Sequence, residues 1–409
     1  MPEPTEFPNP WQFDPRIRQS GNVYYMADEV LVATPDVGVV QGELENELGA
    51  RRPQVAGRSM SRVTRFILPG AAGGRGRRST LDAPAIVRRL RNRPDRPRVG
   101  LNHVFAGNGI FTGQPKLHGG AGTDPRATPY PLPAPEAPVV GSRPVKVAIL
   151  DTGMDPASLA LPIFAQHPLH GTHEMDTVYE NPATQAISLM GGHGTAVAGI
   201  VARYAPNAEL TSIQVLNQFG VTDELNLTAA LERAAAAGAE IVVMSLGGAL
   251  LPEESVDELA TMFDVLPPGT VLVASAGNTE TEIEDYFPAR AGRVTSVAAI
   301  DTTDGQKAPA SFSNSGDWIT ACAPGVGVHC AYPAGTWNYT ANGAPVVSTG
   351  YIAWSGTSFS APYLAARIAA GTMENGTAAD AAEKLKAGLT GGFRRYGGFL
   401  DAPPDFLAP

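Results

Sequence analysis

Gly356-Thr357-Ser358-Phe359-Ser360-Ala361-Pro362 says more about this 409-residue chain than its bulk composition does. A serine follows a Gly-Thr turn and precedes an alanine-rich run, Ala365, Ala366, Ile368, Ala369 and Ala370, that reads as a helix. Pro362 suits the start of such a helix, because first-turn N–H groups have no intrahelical acceptor to lose. Ser358 is thus displayed at a helix N-terminus. A serine hydroxyl is a weak nucleophile by itself, so a catalytic reading requires a base and a third group that orients the base.

The candidate base is His193, in Gly191-Gly192-His193-Gly194-Thr195-Ala196-Val197-Ala198-Gly199-Ile200. Its small residues let the backbone pass close to other elements, while Ala, Val and Ile line one face of the helix that follows. The candidate orienting carboxylate is Asp151. It ends the apolar run Val145-Lys146-Val147-Ala148-Ile149-Leu150, which reads as a buried parallel strand. The carboxyl edge of such a strand is where open α/β sheets place their sites. His170-Gly171-Thr172 imitates the histidine motif, but His173, Glu174, Met175 and Asp176 follow in place of an apolar helix face, so His193 is preferred.

The order Asp, His, Ser, at spacings of 42 and 165 residues, together with these three motifs, resembles the subtilisin-like serine proteases. A fourth motif agrees: Ala274-Ser275-Ala276-Gly277-Asn278, after the strand-like Thr270-Val271-Leu272-Val273. The resemblance covers about residues 143–402. It implies an α/β fold with a doubly wound, mostly parallel sheet and a serine endopeptidase that hydrolyses peptide bonds through an acyl-enzyme, without a cofactor. Asp151, His193 and Ser358 would form the triad, and the Asn278 side chain with the Ser358 N–H the oxyanion hole. Ser245-Leu246-Gly247-Gly248 would pair with an extended peptide or protein substrate, and Ala274, Ser275, Ala276 and Gly277 would wall the pocket, with Tyr286 at its floor. The chain runs from the histidine helix through Ala202-Arg203-Tyr204-Ala205-Pro206-Asn207-Ala208 without the loop that binds calcium in many relatives, so no metal site is expected. The longer segment Thr336 to Ser355 is expected as a surface hairpin near the cleft.

Residues 1–142 carry 18 Lys and Arg against 13 Asp and Glu, and residues 143–409 carry 12 against 27. The basic N-terminal part therefore has an acidic partner within its own chain, which makes nucleic acid the weaker reading. Strand-like Glu29–Ala33, helical Val37–Leu48, strand-like Arg62–Leu68, helical Ala83–Leu90 and strand-like Arg98–Phe105 read as a ferredoxin-like α+β domain. Subtilase prodomains have that form. The expected organisation is an N-terminal tail (1–24), a prodomain-like domain (25–110) with a Gly/Arg-rich loop at 70–79, a Pro/Gly-rich linker (111–142), the catalytic domain (143–402) and a C-terminal tail (403–409). The N-terminal domain is expected to dock on the catalytic domain as an intramolecular inhibitor of a monomer.

No apolar run approaches the roughly 20 residues of a membrane span. The N-terminus lacks the basic and apolar regions of a secretion signal, so a cytoplasmic location without membrane contact is the expectation. Cys322 and Cys330 then read as free thiols. Glu280, Glu282, Glu284 and Asp285 read as a solvated acidic loop before a basic-residue pocket, and Asp155 as a turn or cap residue before a cation ligand. Two other function classes compete: a non-catalytic or regulatory peptide-binding module on the same scaffold, and a metal-dependent hydrolase using His167, His170 and His173. The intact set of four motif residues argues against the first. A loop at the cleft rim is the better reading of the three histidines.

Overall fold

The computed structural model describes residues 14–21, 23–48, 53–55, 63–68, 82–107, 125–165, 167, 173–252, 254–280, 282, 286–339 and 344–409. The 70–79 loop, His118, His170, Glu284, Asp285 and most of the first half of the expected linker lie outside them.

Strand Val145–Asp151 is the pivot of the larger sheet. Its odd-numbered residues Val145, Val147 and Ile149 face one apolar cluster, while Ala148 and Leu150 face another, as a period of two requires of a strand buried on both sides. In space the strands run Ala208–Gln214, Val145–Asp151, Ile241–Met244, Val271–Ser275, Val294–Asp301, Ala321–Pro324 and Gly397–Phe399, all parallel. Antiparallel Thr390–Phe393 closes one edge. Helices His193–Tyr204 and Thr357–Ala370 pack on the Val147 face, and helix Glu224–Ala236 on the Leu150 face. The sheet is thus doubly wound, and the strand order reverses beside Val145–Asp151, where the carboxyl ends open a crevice.

Pro362 lies in the second turn of its helix, not the first, because the helix begins at Thr357. A proline there cannot donate to the carbonyl four residues back, which belongs to Ser358. The Ser245 hydroxyl donates to that carbonyl instead, at 3.1 Å. The helix is thereby braced against the end of strand Ile241–Met244 at Ser358.

In the segment 336–355, Gly335–Trp337 and Val346–Ser348 pair as antiparallel strands, but Tyr351–Trp354 turns inward and pairs with Val328–Ala331 and Arg126–Ala127. Trp354 is buried, because its indole fills the space between Tyr332, Phe359 and the His193 ring. The expected surface hairpin is therefore half core. The stretch after residue 125 is tied down as well: Glu136 accepts from Arg367, and His329 bonds to the Tyr130 carbonyl. Phe406, in the expected C-terminal tail, is buried against Tyr204 and Tyr363. Both cysteines are free and buried, and burial pushes the Cys322 thiol up to about 12.

The N-terminal unit runs Val23–Ala33, helix Val37–Leu48, Gln54–Val55, Val63–Ile67, helix Ala83–Arg91 and Val99–Gly107. Ile17–Ser20, ahead of the expected residue 25 boundary, adds a strand to Val23–Ala33. The core of the unit, including Val30, Val32, Leu44, Phe66, Ile86 and Leu101, also takes in Leu251 from the larger domain. Its last strand inserts between two strands of that domain, pairing with Val221–Asp223 on one side and with Leu246 and Gly247 on the other.

At this junction the fully buried His103 sits between two carboxylates, Glu254 at 2.6 Å from Nε2 and Glu224 at 3.2 Å from Nδ1. Glu254 also accepts the Leu101 N–H, and Asn102 bridges the Glu29 carboxylate to the Glu224 N–H. Burial opposes charge on the His103 ring, but Glu254 and Glu224 override it and raise the ring from 6.5 to about 9. A pKa raised by docking means that the stabilisation is complete below 6.5 and is lost as pH climbs through about 9. In a Ser358→Ala chain, hydrogen exchange of the 99–107 amides, corrected for intrinsic rate, is expected to lose protection between pH 6.5 and 9.5. His103→Gln should flatten that dependence; equal pH dependence in both chains would contradict the assignment.

Candidate active site

The turn into helix His193–Tyr204 explains the glycines around the histidine. Gly192 adopts φ +82° as the N-cap, a left-handed conformation that side chains disfavour. A Cβ on Gly194 would lie 2.3 Å from the Gly153 carbonyl oxygen. Only glycine lets the histidine turn pass this close to the end of strand Val145–Asp151.

That approach brings His193 Nδ1 to 2.7 Å from Asp151 Oδ1. Both side chains are buried, at 1% and 0% exposure, so the bond forms out of water. The Thr152 N–H donates to the same carboxylate oxygen at 2.8 Å. An anion at Nδ1 fixes the tautomer with the proton on that nitrogen and leaves Nε2 as the acceptor. Nε2 has no hydrogen-bond partner among the described residues. Trp354 meets the imidazole edge-on at a centroid distance of 5.4 Å, and Phe359, the neighbour of Ser358, lies at 5.6 Å. Phe359 stands on the helix that carries the buried Ser358, and Trp354 on the neighbouring strand Tyr351–Trp354.

Asn278 belongs to the same cluster. Its Oδ1 accepts from both the N–H and the hydroxyl of Thr357, each at 2.9 Å, so its amide nitrogen is the end turned away from Thr357. The Thr357 hydroxyl also accepts the Gly277 N–H at 3.2 Å. Asn314 braces this loop from behind: its side chain donates to the Ala276 carbonyl, and its N–H donates to the Gly277 carbonyl. Thr357, Asn314 and Trp354 were not singled out by sequence reasoning. The Gly-Thr-Ser motif contained the signal for Thr357, whereas the other two belong to no motif.

The remaining expected residues divide into two groups. Leu246–Ala249 is a strand whose outer residues Gly248 and Ala249 pair with Phe287 and Tyr286. Ala274 and Ser275 end strand Val271–Ser275, and Ala276 and Gly277 continue it into the Asn278 turn. Tyr286 is buried against Gly247 and Gly277, within 3 Å of where Cβ atoms would stand, so its ring joins the two segments. Ser245, by contrast, turns its hydroxyl to the Ser358 carbonyl. Glu282 pairs with Arg395, and Asp155 accepts from the N–H and hydroxyl of Ser158, as a turn residue does. His167 bonds to the Ala205 carbonyl, and among the described residues no group of three or more His, Cys, Asp or Glu side chains could hold a metal ion.

Residues 142–390 match the Subtilase family. Subtilisin DY of Bacillus licheniformis is 29% identical over 258 residues, spanning 60% of this chain and 84% of that protein. The alkaline protease of Alkalihalobacillus alcalophilus is 30% identical over 265 residues, 61% of each chain. Fervidolysin from Fervidobacterium pennivorans, described as a keratinolytic enzyme related to subtilisin, is similar in fold with a TM-score of 0.60 at 18% identity, covering 94% of this chain and 61% of its own. A mutant of the protease domain of PatA gives 0.52 at 25% identity, covering 64% of this chain and 93% of that one. With its parallel sheet, its buried Asp-His pair and a family match over most of its length, the chain belongs to the subtilase family and is a serine endopeptidase acting on peptides or proteins.

Proposed function

We propose that Ser358 is the nucleophile, His193 its general base, Asp151 the group that orients the imidazole, and Asn278 the side-chain donor to the oxyanion. The observation that carries this reading is the buried 2.7 Å bond from His193 to Asp151, which commits Nε2 as the open nitrogen beside the Ser358 helix. In the acylation step Nε2 takes the Ser358 proton as Oγ attacks the scissile carbonyl, then returns it to the leaving amine. Water repeats the sequence on the acyl-enzyme. The negative oxygen exists only in the tetrahedral state, so a donor aimed at it lowers the barrier without tightening substrate binding.

We also infer that the N-terminal domain restrains the enzyme by lying in its substrate groove. Ala106 pairs with both Val221 and Gly247, and the Gly107 N–H donates to the Gly220 carbonyl at 2.8 Å. An added strand from a substrate would need the same backbone groups. Phe105 anchors the occupant, packing with Leu227, Leu246 and Phe287 in one cluster.

Three outcomes follow, each read on a fluorogenic peptide. Ser358→Ala should abolish turnover while circular dichroism stays native; a full rate in that variant refutes the nucleophile. Asn278→Ala is expected to lower kcat by roughly 10²- to 10³-fold with little change in KM, the range known for removal of such a donor in this enzyme class. Phe105→Asp, in a chain that mass spectrometry finds uncut, should raise turnover at least about tenfold by loosening the bound strand, since burying an uncompensated charge is strongly unfavourable. An unchanged rate would remove the restraint.

A further inference from the structure

One carboxylate beside the triad has no part in the chemistry described so far. Asp176 lies on the loop Glu174–Asp176, which runs along the end of the Asp151 strand: the Met154 N–H donates to the Glu174 carbonyl, and the Asp176 N–H donates to the Met154 carbonyl. Its side chain turns toward the triad. Oδ2 accepts the Gly192 N–H at 2.6 Å and the Thr152 hydroxyl at 2.8 Å. The Thr152 oxygen in turn accepts the Gly194 N–H at 3.0 Å. Thr152 follows Asp151, and Gly192 and Gly194 flank His193.

We propose that Asp176 is a positioning residue, whose Oδ2 ties the Asp151 turn to the His193 turn and so fixes the length and angle of the bond between those two side chains. The inference rests on the triad reading above. Two separate segments carry Asp151 and His193; besides the catalytic bond, the described residues link their ends through the Thr152–Gly194 contact, the Asp155 N–H donated to the Thr195 hydroxyl at 2.9 Å and the two bonds to Oδ2, of which the Oδ2 pair lies on either side of the Asp151–His193 bond. Misplacement of a catalytic group by about 1 Å can lower turnover by roughly 10²-fold.

The other oxygen, Oδ1, is buried and has no hydrogen-bond partner among the described residues. It is therefore the oxygen that can carry a proton without disturbing either tether. Burial, with the nearby Asp151 and Asp155 carboxylates, raises Asp176 to about 7, against the two hydrogen bonds that lower it. The Tyr332 phenol is a further titratable neighbour, itself held neutral by burial, and the His193 imidazole stands on the helix entered through Gly192. A tether that works through one oxygen is reproduced by an amide. In Asp176→Asn the Asn carbonyl takes both donors, and its NH2 replaces the bare Oδ1.

The test is steady-state kinetics of the full chain on one fluorogenic peptide, with Asp176→Ala, Asp176→Asn and Ser358→Ala side by side. Asp176→Ala should lower kcat about 10- to 100-fold at pH 8 with KM within about threefold. Asp176→Asn should stay within about threefold of the parent kcat with KM unchanged, because the amide oxygen keeps both tethers. If Asp176→Ala fails to fold, Thr152→Val reads the same tether and should lower kcat comparably. A parental kcat in Asp176→Ala, or in Thr152→Val if that variant stands in, overturns the proposal, as does an Asp176→Asn rate as low as that of Asp176→Ala. A full rate in Ser358→Ala would instead fail the triad reading, so the two failures are distinct.

Discussion

The bond between Asp151 and His193 is the constraint around which the chain is arranged. A carboxylate without exposure is tolerable only if donors offset its charge, and here the imidazole N–H and the Thr152 N–H both donate to Oδ1, while Oδ2 is buried without a hydrogen-bond partner among the described residues. To bring these groups together the histidine turn must pass within backbone contact of the strand end, which explains glycine at 194. The parallel sheet places Asp151 at the edge of a crevice, the adjacent strand end supplies Ser245 to brace the Ser358 carbonyl, and the next carries the loop of Asn278. The geometry of the site thus follows from strand order as much as from its polar residues.

Packing and polarity act together. The Pro362 ring would leave the Ser358 carbonyl without a donor, and the Ser245 hydroxyl supplies one. Trp354 and Phe359 exclude water from the flanks of His193, which strengthens every dipole aimed into the site. The Asn278 amide is aimed by Thr357 rather than by its own backbone. Each device fixes one rotamer or one proton position before a substrate arrives, and such preorganisation is the main source of electrostatic catalysis.

Much of this was legible in the sequence, for definite reasons. Val145 to Leu150 is apolar on both faces, so a buried parallel strand is the economical reading, and the helix Val37–Leu48 matches its expected bounds. The pieces that escaped depend on contacts between distant segments. Gln54–Val55 is two residues long and exists only because it has a neighbour to pair with. Tyr351–Trp354 belongs to the Gly- and Thr-rich segment 336–355 that reads as a surface hairpin, but it pairs with Val328–Ala331 and its last three residues are buried. His103 carries no motif, and its setting between Glu224 and Glu254 arises only when two domains meet. Asp176 resembles any loop aspartate until its two donors are seen.

The central claim is that the Ser358 hydroxyl becomes a covalent nucleophile through His193. Its most direct measurement is peptide mass spectrometry of the protein after brief exposure to a fluorophosphonate at pH 8. The account predicts a single adduct on the peptide containing Ser358, formed at least about a hundredfold more slowly in His193→Ala. An adduct at another residue, or equal labelling without the imidazole, would contradict it.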